Sequence, residues 1–182
     1  TIAVVASYPT DSHGLCDDVP AIASLAERHG AWCHVDASFG GYIAPFLKEL
    51  GEPLPDFDFR VPGVTTISAD LHKYGFAAKG ASTITYRNLE LLKHQMFICE
   101  DWPGGVFASP ALLGTRPGGA YAAAWAAMQR FGVAGYRDLA ARTQQAFERM
   151  RAGIEAQPEL KVLGEPHGPL LAFGSATPEV NI

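Results

Sequence analysis

The stretch Ile67-Ser68-Ala69-Asp70-Leu71-His72-Lys73-Tyr74-Gly75-Phe76 decides how the rest of this sequence is interpreted. The β-branched run 64–67 predicts a buried strand leading into it, and a second run, 81–86, predicts another strand after it. Between them lie an acid, an imidazole and an amine. A lysine among apolar and aromatic neighbours is partly desolvated, which lowers the pKa of the amine and frees the lone pair that a Schiff-base nucleophile needs. The alternative is an ordinary solvated loop lysine.

A βαβ unit precedes this stretch. Residues 2–7 predict a strand, and Asp17 or Asp18 predicts the N-cap of a helix that ends near Gly30. Residues 32–36 then predict a second strand. A strand–helix–strand succession indicates a parallel sheet.

Asp36 ends the second predicted strand. In parallel sheets functional groups collect beyond the carboxyl ends of the strands, where Asp36 and Lys73 are both expected. Asp36 is interpreted either as a partly buried carboxylate that faces a cationic ligand or as a capping aspartate. Gly40 and Gly41 follow it and permit close approach of the backbone.

The segments that flank the predicted strands are predicted to be partly helical and partly irregular. Residues 43–63 predict a short helix and an irregular excursion, because they contain four prolines. Residues 89–95 predict another short helix. Residues 99–119 are rich in glycine and proline and predict a long functional loop.

The last third of the sequence predicts helices followed by short strands. An alanine-rich helix is expected from Pro117 to about Phe131, buried on most sides, and an amphipathic helix over 134–156. Residues 161–163 and 169–173 then predict strands of a second, smaller α+β domain.

Composition excludes several classes of protein. The 182 residues suit one domain or parts of two, and 48% apolar with 18% charged residues indicates a globular core. A net charge of −5 without a basic run argues against a nucleic-acid partner, and no apolar segment is long enough to span a bilayer.

Three cysteines without a CxxC pair favour a reducing, cytoplasmic setting and no metal site. Because Thr1 opens directly in a predicted strand, we expect a fragment.

The order of motifs resembles a known enzyme family. His34-Val35-Asp36-Ala37, followed by Ser68-x-Asp70-x-His72-Lys73, resembles fold-type I pyridoxal 5′-phosphate (PLP) enzymes of the group II decarboxylase clan, and within it the sphingosine-1-phosphate lyase family. The resemblance runs from about Ser7 to Gly135. Its supporting stretches are His13-Gly14, Asp36-Ala37-x-x-Gly40-Gly41, His72-Lys73-Tyr74-Gly75-Phe76-Ala77-x-Lys79-Gly80, Asp101-Trp102-x-Gly104-Gly105 and Gly114-x-Arg116-Pro117-Gly118-Gly119.

The resemblance implies a role for each site residue. Lys73 would form the Schiff base with PLP, and Asp36 would keep the pyridine nitrogen protonated so that the ring accepts electrons. His72 would lie near the cofactor phosphate, with a core histidine as the alternative. The remaining cofactor-binding candidates are Ala37, Ser68, Asp70, Ser109 and Thr115.

Three residues are candidates for substrate binding on the same basis. Lys79 would reach a substrate phosphate, with a solvated loop lysine as the alternative. Arg116, on the loop that carries Ser109 and Thr115, would approach the active site of a partner subunit, although an interface or capping role fits each of the three. His13 would line the site.

The fold implied is α/β: a partial PLP-binding large domain over 1–131 with a mainly parallel sheet, and the start of a small α+β domain over 132–182. The activity implied is retro-aldol cleavage of a phosphorylated long-chain base into a fatty aldehyde and phosphoethanolamine, in a homodimer with shared sites. The alternatives are an amino-acid decarboxylase and a non-catalytic dimerising paralogue. Relatives supply much of the phosphate site from sequence outside this stretch, so we expect the isolated segment to bind PLP poorly.

Overall fold

A computed structural model describes residues 1–177 of the chain. Its main sheet has four strands in the order β1-β2-β3-β4. Strands β1 (Ala3–Ser7), β2 (Trp32–Asp36) and β3 (Thr66–Ala69) are parallel, and β4 (Thr83–Tyr86) runs antiparallel to β3. The predicted βαβ unit and mainly parallel sheet are confirmed.

The strand register brings three polar residues together at one edge. Ser7 pairs with Asp36 across β1 and β2, and Asp36 pairs with Ser68 across β2 and β3. Because parallel strands end at the same edge, the turn that carries Lys73 also begins there.

Helix α1 (Val19–Arg28) covers the sheet and begins at a defined cap. Asp18 is the N-cap, and its Oδ1 accepts a hydrogen bond of 3.1 Å from the backbone of Ala21. Asp17 instead accepts a hydrogen bond of 2.7 Å from the backbone of Ser7. The structure therefore selects Asp18 from the two capping candidates, while Asp17 fastens the end of β1.

The excursion between β2 and β3 contributes to the core although only one part of it is helical. Helix α2 (Ala44–Glu49) confirms the predicted short helix, and Leu47 and Val64 are buried with the sheet residues. Arg87 holds the irregular part: Nε donates to the carbonyl of Val64 at 2.6 Å and Nη2 to that of Val61 at 2.7 Å.

One buried hydroxyl joins the polar side chains of β2 to β3. Thr66 is 1% exposed, and its Oγ1 accepts a hydrogen bond of 2.8 Å from Trp32 Nε1. His34 Nδ1 lies 2.9 Å from the same oxygen. Buried polar groups are costly unless they are paired, so this cluster fixes the pairing of the two strands.

The region after β4 contains a hairpin that the sequence did not predict. The predicted helix over 89–95 is confirmed as a short α-helix, α3 (Leu89–Leu92), and a 3₁₀ turn over Lys93–Gln95. Strand β5 (Phe97–Cys99) ends where the predicted loop 99–119 begins, and it pairs antiparallel with β6 (Phe107–Ser109), which lies inside that loop. Three-residue strands are too short to show a periodic pattern.

The two predicted C-terminal helices are confirmed as one element, α4 (Gly119–Glu155), which is broken at Gly132. Gly132 adopts φ 55° and ψ −175°, a conformation open mainly to glycine. The expected burial of the alanine-rich half is wrong, because Trp125 is 66% and Met128 42% exposed. No described residue of this chain covers that apolar face.

The chain continues into a small antiparallel pair, β7 (Leu160–Leu163) and β8 (Ala172–Ser175), as the sequence predicted. The predicted domain boundary between residues 131 and 132 adjoins the break in α4 and stays a prediction, while residues 178–182 lie outside the described part. Within residues 1–177, no helix combines the length and apolarity needed to cross a membrane.

Replacing Thr66 by valine tests the buried hydroxyl. Thr66→Val leaves the Trp32 indole N–H without its acceptor, so we expect a loss of about 1–3 kcal/mol in the free energy of unfolding, measured by chemical denaturation. Thr85→Val is the matched control, because Thr85 lies on exposed β4 and its hydroxyl donates only to the carbonyl of Ile67. Equal losses in both variants would contradict the assignment.

Candidate active site

Asp36 ends β2, and among residues 1–177 the hydrogen-bond donors around it bond to one of its two carboxylate oxygens. Its Oδ1 accepts hydrogen bonds from the backbone of Ser38 at 3.1 Å, from the Ser38 hydroxyl, and from the Ser68 hydroxyl at 3.1 Å. Its Oδ2 accepts no hydrogen bond from residues 1–177. The carboxylate is thus fixed in orientation with one oxygen available to a ligand.

The surroundings keep Asp36 ionised. Burial raises the pKa of this carboxyl, but the hydrogen bonds from Ser38 and Ser68 and the proximity of His34 outweigh burial and leave the pKa below its usual value. Burial also lowers the pKa of His34, which favours the neutral imidazole. The tip of β2 therefore presents a negative charge at neutral pH.

Two glycines allow the chain after Asp36 to pack closely. A Cβ on Gly41 would lie 2.5 Å from the Cβ of Ala69, and one on Gly40 would lie 2.5 Å from the carbonyl of Tyr8. The backbone of Ala37 also donates to the carbonyl of Ser68 at 3.0 Å. The predicted close approach of the backbone is confirmed, and it ties the ends of β2 and β3 together.

Lys73 lies in the turn that follows β3. Its Nζ is 3.0 Å from Asp70 Oδ2 and 3.8 Å from the centroid of the Phe39 ring. An aromatic face and a carboxylate both attract an ammonium group. The sequence predicted apolar and aromatic neighbours; the structure provides the ring, but the direct partner of the amine is a carboxylate.

Asp70 is the centre of a small polar cluster. Its Oδ1 accepts from the Ser82 hydroxyl, and its Oδ2 lies 3.5 Å from His72 Nε2. Burial raises the pKa of Asp70, but Ser82, Lys73 and His72 together lower it below its usual value. His72 Nδ1 donates to the carbonyl of Ala81 at 2.7 Å, so its hydrogen bond anchors the turn to the start of β4.

The far end of the Lys73 turn is held by helix α4. The Tyr136 hydroxyl donates a buried hydrogen bond of 2.8 Å to the carbonyl of Gly75. Phe76 follows with φ 55°, a left-handed conformation that is unfavourable for a bulky residue and needs support from its surroundings. The Phe76 and Tyr136 rings pack with centroids 6.4 Å apart, which supplies such support.

The structure brings some of the predicted residues together and leaves others apart. The edge of the sheet and the turn after β3 gather six of them: Asp36, Ala37, Ser68, Asp70, His72 and Lys73.

The other predicted residues lie outside this cluster. Lys79 and His13 are exposed, and His13 Nδ1 lies 3.0 Å from the Ser12 hydroxyl. In the loop between β6 and α4, exposed Thr115 makes no hydrogen bond through its side chain to the described residues. Arg116 Nη2, in the same loop, donates to the carbonyl of Leu113, and Ser109, the last residue of β6, donates through Oγ to the carbonyl of Ala111. Their ligand-binding roles stay predictions.

Four residues of the site were not predicted from sequence. Ser38 follows Asp36 by two positions, and a side chain bonding to the backbone two residues on is a recognisable Asx pattern. Phe39, Ser82 and Tyr136 have no such signal, because each reaches the site through the folding of a separate segment.

The pair of groups fits PLP. A carboxylate with one open oxygen suits a protonated pyridine nitrogen, and a primary amine suits the cofactor aldehyde. The structure supplies both at one sheet edge, with each held by its own partners. Asp36 would hold the ring nitrogen and Lys73 the aldehyde carbon.

Comparison with known proteins agrees with this fit. Residues 1–175 match the family model described as "Pyridoxal-dependent decarboxylase conserved domain". The chain belongs to this family of PLP-dependent enzymes.

Among its relatives, the chain is 43% identical to sphingosine-1-phosphate lyase of rice, Oryza sativa, over 99% of its length. It spans 33% of that relative, about a third. The structure of sphingosine-1-phosphate lyase from Burkholderia pseudomallei superposes with a TM-score of 0.90 at 42% identity, over 96% of this chain and 40% of that one. A probable L-aspartate decarboxylase of Pyrococcus furiosus is 36% identical, over 95% of this chain and 47% of its own length.

The lowered pKa of Asp36 predicts how stability responds to acid. A carboxyl whose folded pKa lies below its unfolded value of about 3.9 stabilises the fold above that pH, and the contribution is lost as pH falls through the folded pKa. In cofactor-free protein, we expect the midpoint of thermal unfolding to fall less for Asp36→Asn than for the unmodified protein when the pH is lowered from about 6 to about 3.

Ser38→Ala is the companion variant, because it keeps the carboxylate but removes one hydroxyl donor. Like Asp36→Asn, Ser38→Ala is expected to reduce the fall in the unfolding midpoint as the pH is lowered, but by a smaller amount. An Asp36→Asn profile that parallels the unmodified protein would contradict the assignment.

Proposed function

We propose that this chain carries the cofactor-binding centre of a PLP-dependent carbon–carbon lyase that cleaves a phosphorylated long-chain (sphingoid) base to a fatty aldehyde and phosphoethanolamine. The observation that carries the proposal is the placement of ionised Asp36 and the Lys73 amine at one edge of the sheet. The specific substrate is supported by the likeness to proteins named sphingosine-1-phosphate lyase.

Asp36 is suited to keep a proton on the cofactor ring. When bound, PLP supplies an electron-poor ring that accepts the electron pair of a broken bond to the substrate Cα. The open Oδ2 of Asp36 would stabilise the positive charge of the ring nitrogen, while Ser38 and Ser68 hold the carboxylate still. This contact of Asp36 would favour the protonated form of the ring nitrogen.

Lys73 would hold the cofactor between turnovers and yield its place to the substrate amine. Reaction choice then depends on which substrate bond stands perpendicular to the ring, and anchoring the substrate phosphate sets that orientation. In our proposal Lys79 contacts this phosphate, and its exposed position beyond the Lys73 turn supports that role. His72 would face the cofactor phosphate.

The proposal includes a homodimer in which Ser109, Thr115 and Arg116 reach the partner's active site. It is supported by the exposed apolar side chains of the hairpin, the following loop and α4, which need a cover. We also propose a cytoplasmic location, which the three free cysteines support.

Borohydride reduction tests the lysine assignment. Reducing the full-length holoenzyme is expected to fix the cofactor on the peptide that contains Lys73, detected by its added mass. Lys73→Ala should give no such adduct, and the nearby Lys79→Ala should keep it. A modified peptide elsewhere would contradict the role of Lys73, and the complete absence of an adduct would favour a non-catalytic paralogue.

Product analysis tests the reaction. Full-length enzyme given a phosphorylated sphingoid base is expected to release a fatty aldehyde and phosphoethanolamine, without carbon dioxide from aspartate or glutamate. Lys79→Ala should raise KM about tenfold or more, because it removes a charge-assisted contact to phosphate, while leaving borohydride labelling intact. Carbon dioxide release from aspartate, with no aldehyde, would favour the decarboxylase alternative.

A further inference from the structure

The Lys73 amine contacts a carboxylate and an aromatic ring in this structure. Its Nζ lies 3.0 Å from Asp70 Oδ2 and over the Phe39 ring. The Lys73 side chain is 27% exposed and that of Asp70 is 13% exposed, so this contact is largely shielded from water. A shielded contact to a carboxylate is stronger than an ion pair in open solvent.

Hydrogen bonds with neighbouring segments hold Asp70 in position for this contact. Its backbone donates to the carbonyl of Ser38 at 3.2 Å, and its Oδ1 accepts from Ser82 at the start of the antiparallel strand. These bonds orient Oδ2 towards Lys73 and His72. The Asp70 carboxylate is therefore oriented by contacts other than the one to Lys73.

A direct contact between Asp70 and the cofactor phosphate is unfavourable. Two anionic groups repel, and Asp70 Oδ1 already accepts a hydrogen bond from the Ser82 hydroxyl. The resemblance placed Asp70 among the cofactor-binding residues, but its contacts in this structure are those of a partner for a cation.

We propose that Asp70 is a positioning residue that receives the Lys73 ammonium whenever the lysine is free, both before cofactor loading and while substrate occupies the cofactor. The turnover part rests on the proposed function. In that exchange the carbon–nitrogen double bond to Lys73 breaks and one to the substrate nitrogen forms. Two protons pass from the substrate ammonium to the lysine nitrogen, which leaves as an ammonium group.

The freed Lys73 amine then has a defined binding position. Asp70 and the Phe39 ring stabilise the charge that the amine has acquired and hold Nζ at the turn after β3. Return of the lysine, which releases product, starts from this same position. Without Asp70, the Phe39 ring is the remaining contact of the ammonium group among residues 1–177.

Chemical labelling of cofactor-free, full-length protein tests the contact itself. Brief acetylation with acetic anhydride, followed by mass spectrometry, gives the rate at Lys73 relative to exposed Lys79. Asp70→Asn is expected to raise that ratio about threefold or more, because an amide holds an ammonium group less well than a carboxylate does. The amide oxygen can still accept from Ser82, so the turn is expected to keep its fold.

Asp36→Asn is the matched control, since it removes a carboxylate at the same sheet edge that does not contact Lys73. Its labelling ratio should equal that of the unmodified protein. A smaller increase in Asp70→Asn, or an equal increase in Asp36→Asn, would overturn the proposal. Because no cofactor is present, this result is independent of the lyase assignment.

A second measurement addresses turnover. Phosphoethanolamine is titrated into the holoenzyme, and displacement of Lys73 is followed by absorbance of the cofactor. Asp70→Asn should need about threefold more amine for half displacement, since the freed lysine has lost its counter-ion. If labelling changes but displacement does not, the turnover part is wrong. If the amine displaces nothing from unmodified holoenzyme, the proposed function fails instead.

Discussion

The parallel pairing of β1, β2 and β3 is the constraint on which the site depends. It sets Ser7, Asp36 and Ser68 in one row and starts the Lys73 turn from the same edge. Close packing keeps the row together, because Gly40 and Gly41 leave no room for a side chain between the strand ends. A shift in register would move Asp36 away from Ser68 and leave the carboxylate without one of its donors.

The two charged groups are supported in different ways. Asp36 belongs to a strand and is held by neighbours two residues away in sequence or directly across the sheet. Lys73 belongs to a turn and depends on distant segments, namely Ser82 through Asp70 and Tyr136 through Gly75. This difference fits chemistry in which the carboxylate stays in place while the lysine must move between cofactor and counter-ion.

The positions of Asp36 and Lys73 after neighbouring strands were predictable from the sequence, but their contacts were not. Their places at the ends of β2 and β3 followed from local sequence patterns, which report strand ends well, whereas their proposed roles came from the resemblance to a known family. Phe39, Ser82 and Tyr136 were missed because their proximity to Lys73 arises from sheet pairing and helix packing. The hairpin was missed as well, since three-residue strands carry no periodic signal.

The sequence by itself determined the βαβ order, the approximate limits of α1, and the acid and amine placed at the ends of β2 and β3, because these depend on neighbours close in the chain. Only the tertiary structure decided that the amine contacts Asp70 and that, among residues 1–177, nothing pairs with the second oxygen of Asp36 or covers the apolar face around Trp125. Those features depend on which distant segments meet, and burial is a property of the assembled surface rather than of any local run of residues.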